Sequence, residues 1–121
     1  SLPWVNRAFE NWTGYTRYEL NKIGWKHLSV NDDNLQADLK AVEECVQGKR
    51  TSYTIRKRYI PKNESPQWGE LSVVRYPEHG PVEYFLCVWL PLANHTNQAF
   101  SMAIANTVWQ LRRRAESAAL M

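Results

Sequence analysis

Apolar positions recur at two spacings along this chain, helical up to about residue 48 and alternating from there to residue 92. Pro3 biases Leu2 away from helix, so the segment around Trp4-Val5 reads as a short extended piece. Asn6 is placed to cap a helix beginning at Arg7, in which Phe9, Trp12 and Thr13 recur at helical spacing. Gly14 closes it, being free to take the left-handed conformation. Thr16 and Glu19 then form a capping box, the hydroxyl serving a first-turn N–H and the carboxylate reaching back to the N–H of Thr16. The second helix runs from about Arg17 to Lys22 and stops at Gly24, with one further turn over residues 25–28. A third helix opens with a capping box over residues 33–36, carries Leu35, Leu39, Val42 and Val46 as its apolar stripe, and ends at Gly48.

Three strands follow. Residues 51–60 alternate, with Tyr53, Ile55, Lys57 and Tyr59 on one side. Residues 67–76 form the second strand, after the turn chemistry of residues 61–66. The third, residues 82–92, is apolar on both faces, with Val82, Tyr84, Leu86, Val88 and Leu90 opposing Phe85, Cys87 and Trp89. An antiparallel strand with one wet face alternates apolar with polar, so a second cover is expected. A helix over about residues 98–117 supplies it in this reading: Phe100, Ile104, Val108 and Leu111 make one stripe, able to fold back on the sheet or to pair with a second copy.

At 121 residues the chain is sized for one fold, and six Trp with 44% hydrophobic residues exclude a disordered segment. A net charge of +3, scattered over the length, is too weak for a dedicated nucleic-acid surface. No apolar run approaches a membrane span, and no charged-then-apolar leader opens the chain, so a cytoplasmic location is expected. Cys45 and Cys87 have no metal spacing and read as buried thiols.

Several short motifs in order resemble the PAS family of sensor domains. Val5-Asn6-Arg7-Ala8-Phe9 is similar to the family's V-N-x-A-F, and Gly14-Tyr15-Thr16-Arg17-Tyr18-Glu19-Leu20 to its G-Y-[ST]-x-x-E-L corner. Val30-Asn31-Asp32-Asp33 stands where the family has H-P-x-D, and residues 53–63 resemble Y-x-x-x-x-R-Y-x-x-K-D with Arg58 and Lys62 at the basic positions. Trp68, Gly80 and the closing apolar strand continue the likeness, which covers about residues 4–90. The resemblance implies an α+β fold: a PAS-like antiparallel sheet of order 2-1-5-4-3, short helices and one long helix on one face, plus the C-terminal amphipathic helix. The division expected is a sensor domain over residues 1–92 and a linker or signalling helix over residues 93–121.

Three departures qualify it. The family's first, central strand has no counterpart ahead of Trp4, leaving a gap for a partner chain or the C-terminal helix to fill. Asn63-Glu64 replaces the usual Asp-Gly turn. Leu90-Pro91-Leu92 replaces the D-[IV]-T ending that in the family helps hand on the signal.

The site residues expected follow from this reading. Phe9, Trp12, Trp25, Leu28, Leu39, Tyr53, Ile55, Tyr59, Trp68 and Leu86 are the candidates to line a pocket for a small apolar or aromatic ligand. Phe85, Cys87 and Trp89, taken as the exposed face, with Phe100, Ile104 and Val108, are the candidates for dimerisation and signal coupling. Arg56, Lys57 and Arg58 read as a solvated strand edge. The photosensor motif N-C-R-F-L-Q is absent, and His27 and His79 are misplaced for an axial ligand, so covalent flavin and haem are not expected and the cofactor is left open. No metal site and no catalytic constellation stands out; Glu70 and Glu83 are the obvious strand carboxylates that a small cone-type enzyme would need. The function implied is a sensory and dimerisation module of a signal-transduction protein without catalysis of its own. Its partners would be a second copy, a small ligand, and an effector domain or partner protein. The alternative is a ligand-free protein–protein interaction module used for assembly.

Overall fold

A computed structural model describes residues 4–92 and 107–112 of the chain. The architecture is α+β. A two-residue strand β1 (Trp4–Val5) leads into helices α1 (Arg7–Thr13), α2 (Arg17–Leu28) and α3 (Asp33–Val46); strands β2 (Ser52–Tyr59), β3 (Gln67–Tyr76), β4 (Tyr84–Pro91) and β5 (Thr107–Arg112) follow. The caps form where the side chains allow them. Asn6 accepts the Phe9 N–H at 3.0 Å. Thr16 and Glu19 close their box reciprocally, at 3.1 and 2.9 Å. Gly14, at φ 78°, ends α1, and Gly24, at φ 74°, breaks α2 so that residues 25–28 make a separate turn.

α3 departs from expectation in two ways. Its cap is Asp32, one residue before the expected Asp33, and its Oδ1 accepts the N–H groups of Asn34 and Leu35. Asp32 wins because its other oxygen takes a hydrogen bond from Arg58 of β2 at 2.9 Å, so one carboxylate serves helix and sheet together. The buried stripe is Leu35, Asp38, Ala41, Val42 and Cys45. It is rotated towards Asp38, leaving Leu39 and Val46 only partly buried.

The five strands form one antiparallel sheet of order β1-β5-β4-β3-β2. That is the order implied by the resemblance, with β5 standing where the resemblance puts the family's first strand. Within the segment expected as a helix, Thr107–Arg112 is therefore strand, pairing with β4 on one side and β1 on the other. An unpaired central gap would leave two rows of backbone donors and acceptors unsatisfied, and a strand satisfies both rows where a helix satisfies neither. The other residues of that expected helix, and of the segment 93–121, lie outside the described residues, as do Phe100 and Ile104.

Register decides which face is covered. Tyr53 stands opposite Val73, and Val73 opposite Cys87. Residues directly opposed in an antiparallel sheet share a face, so Phe85, Cys87 and Trp89 lie with Tyr53 and Tyr59 beneath the helices, all buried. The expected assignment of the β4 faces is thus inverted: Leu86 lies on the face away from the helices, and the trio taken as exposed is core. The strand's double apolarity hid this, since neither face carries a polar residue to mark it. Gly69, next along β3, supplies the room that Trp89 needs, because a Cβ built there would lie 2.2 Å from Cζ2 of the indole. Gly69→Ala should displace that ring and cost about 1–3 kcal/mol in urea unfolding, with a shifted tryptophan emission as the accompanying signature.

Candidate functional site

The space between helices and sheet is filled from three directions by rings. Phe9 of α1 lies 5.5 Å from Trp25 of α2 and 6.2 Å from Tyr59 of β2, centroid to centroid. Tyr59 approaches Trp89 of β4 to 4.3 Å, and Trp12 reaches the same indole at 5.3 Å. Phe9, Trp25, Leu28, Tyr53 and Tyr59 are buried in this core, and Trp12, Leu39 and Ile55 are half-buried against it. Eight of the ten expected pocket residues are thus brought together. Trp68 and Leu86 are not: Trp68 is 46% exposed, with the Arg58 guanidinium 5.1 Å from its ring centre.

A polar centre sits inside this apolar shell. Lys57 of β2 donates to Asp38 of α3 at 2.7 Å, their side chains 3% and 0% exposed. The Tyr53 hydroxyl donates to the other Asp38 oxygen at 2.6 Å, and the Lys57 ammonium lies 4.8 Å from the Tyr59 ring centre. Lys57 was expected at a solvated edge. Alternation already put it on the same side as Tyr53 and Tyr59, and what was missed is that Asp38 meets it there. Burial, reinforced by the Asp38 charge, pushes the Tyr53 hydroxyl far above the ordinary phenol range. The same causes raise Tyr59 and the Cys87 thiol, and burial raises Cys45. Both cysteines are therefore neutral thiols at physiological pH, poorly suited to nucleophilic or redox work.

The sheet's other face is polar along β2, where Thr54 meets Ser72 and Arg56 meets Glu70, and carries an apolar row along β4 and the end of β3 that has no cover among the described residues. Val74 and Tyr76 of β3 are about half exposed, at 48% and 51%. Tyr76 stacks on Tyr84 of β4 at 4.9 Å, and Leu86, Val88 and Leu90 continue the row half-buried. The backbone of Val108 pairs with that of Val88. Of the expected coupling residues, then, Val108 lies on the strand beside this face, while Phe85, Cys87 and Trp89 lie beneath the opposite one. Among the described residues no group of His, Cys, Asp or Glu could hold a metal ion, and no helix is long and apolar enough to cross a membrane.

No protein-family model matches the chain, and no solved structure matches it significantly. It is similar to the probable diguanylate cyclase DgcE of Escherichia coli (strain K12), with 32% identity over 84 residues. That match covers 68% of this chain and 7% of the relative, so the chain spans a small fraction of the protein it resembles.

The buried pair yields two expectations. Lys57→Met leaves Asp38 in the core without its ion-pair partner and should cost about 3–5 kcal/mol by chemical unfolding, while Lys57→Met combined with Asp38→Leu and Tyr53→Phe, which removes the hydroxyl that would otherwise lose its acceptor, should recover most of that loss. The two buried phenols stabilise the fold below the unfolded tyrosine range near pH 10, and that contribution is lost as pH rises towards their elevated folded values. In an alkaline titration followed by phenolate absorbance and far-ultraviolet dichroism, Tyr53 and Tyr59 should therefore ionise only together with unfolding.

Proposed function

We propose that the chain is a PAS-type sensory and dimerisation module of a signal-transduction protein, with no catalytic activity of its own. The observation that carries this reading is the two-sided sheet. One face is closed by short helices and one long helix, and the other is an apolar row of Val74, Tyr76, Leu86, Val88 and Leu90. Similarity to a small part of a much longer probable diguanylate cyclase supports a module that works within, or alongside, a signalling enzyme. In this reading a second copy pairs across the uncovered face. A small apolar or aromatic ligand entering among the rings would bias that pairing by binding one arrangement of the sheet more tightly than the other. Trp89 offers such a ligand a specific contact, because its indole N–H is buried without a hydrogen-bond partner among the described residues.

The alternative, assembly without a ligand, is favoured by the direct ring-to-ring packing of Phe9, Trp25, Tyr59 and Trp89. Native mass spectrometry separates the two. A dimer carrying a stoichiometric extra mass supports sensing, and a dimer of bare chains supports assembly. Val74→Glu should weaken either dimer at least about tenfold while leaving the far-ultraviolet spectrum unchanged. A bare monomer at every concentration, or a dimer indifferent to Val74→Glu, overturns the proposal.

A further inference from the structure

At the far end of α3 the chain turns through Gly48, Lys49 and Arg50 into β2, opposite the turn that joins β3 to β4. Between them is an open cleft of about 590 Å³ whose wall includes Lys49, Arg50, Arg75, Glu78 and His79. That volume falls within the range of small-molecule sites. Lys49, Arg50 and Arg75 meet there with one carboxylate of the wall, Glu78, and Arg50 is paired with Glu44 beside it.

Arg75 is the unusual member. It is only 4% exposed, and its guanidinium donates to the carbonyl oxygens of Pro77 (3.0 Å), Cys45 (3.0 Å) and Gly80. These acceptors orient the group but carry no formal charge. Among the described residues no carboxylate forms an ion pair with it: Glu44 pairs with Arg50, and Asp32 with Arg58. A guanidinium has five N–H donors, so the three carbonyls leave two of them over. The negative end of α3 offsets part of the charge. A buried cation held rigid beside an open cleft, and flanked by Lys49 and Arg50, has no counter-ion among the described residues.

We propose that this cleft binds a small oxyanion, a phosphate- or carboxylate-bearing molecule that supplies the missing countercharge. Arg75 is the fixed donor, its fork held in place by the three carbonyls and matched to two oxygens of the ligand. Lys49 and Arg50, both exposed, close on it from the α3–β2 turn. The site is separate from the ring-lined interior and from the uncovered sheet face, and stands whether or not the sensory reading does.

The test follows backbone amide shifts while inorganic phosphate or succinate is titrated against potassium chloride of matched ionic strength. Saturable shifts in residues 46–51 and 75–81, with a dissociation constant in the millimolar range or below, are expected with at least one of the two. Phosphate alone assigns a phosphate-bearing ligand, succinate alone a carboxylate, and both a general oxyanion site. Lys49→Ala and Arg50→Ala should each weaken binding about fivefold; Lys62→Ala, which removes a cation paired with Glu19 elsewhere, should leave it unchanged. Arg75→Lys should abolish saturation if it folds, and the two turn variants decide the matter if it does not. Shifts no larger than those with chloride, or equal losses in Lys62→Ala, overturn the proposal. The oligomeric state of Lys49→Ala should match the parent protein, so failure here is distinguishable from failure of the dimer reading.

Discussion

The row of pairings from Tyr53 through Val73 to Cys87 is the constraint on which the rest of this structure depends. A one-residue slip in a sheet exchanges every side chain between its faces. In this register Tyr59 and Trp89 meet beneath the helices, Gly69 lies where the indole leaves no space for a Cβ, and Val74 and Tyr76 are turned outward. Helix-covered interior and outward apolar row are consequences of the same alignment.

The Asp38–Lys57 pair adds a second constraint at right angles to the first. Apolar contacts would let α3 slide or rotate over the sheet at modest expense. A carboxylate held by both Lys57 and Tyr53 permits one placement, because any displacement strands a charge in the core. The Asp32–Arg58 contact does the same at the start of the helix, and Arg75 reaches the carbonyl of Cys45 near its end. α3 is thus tied to the sheet by polar contacts near both ends and its middle, a rigid strut between the interior and the β3–β4 turn.

Local features of the chain were legible where the deciding interaction lies within a few residues. Asn6, Gly14 and the Thr16–Glu19 box act on their own neighbours, and the helices they delimit stand where expected. The strands over residues 52–59, 67–76 and 84–91 follow from alternation and turn residues in the same way. What could not be read is what distant segments decide. The β4 faces were inverted because both are apolar and only pairing with β3 separates them. Lys57 looked solvated because its partner lies on another element, and Asp33 looked like the cap because the pull of Arg58 on Asp32 comes from β2. Thr107–Arg112 carries helical periodicity, yet the vacancy between β1 and β4 makes it a strand, a case of tertiary context overriding local pattern.

β5 has a consequence for how the chain reaches its final form. Trp4 pairs with Gln110 and Tyr84 with Arg112, so the strand joining β1 to the other strands leaves the ribosome after all of them. Until it arrives, the edge of β4 stands open and β1 has nothing to pair with. A nascent chain therefore holds three paired strands and their helices while the sheet waits for closure, and pairing between segments so far apart in sequence is intrinsically slow. During that interval the bare edge can accept a strand from any neighbouring chain, including the equivalent segment of a second copy. Exchange of that strand between two copies would preserve every backbone pairing of the closed sheet, making assembly a matter of synthesis timing as well as of affinity.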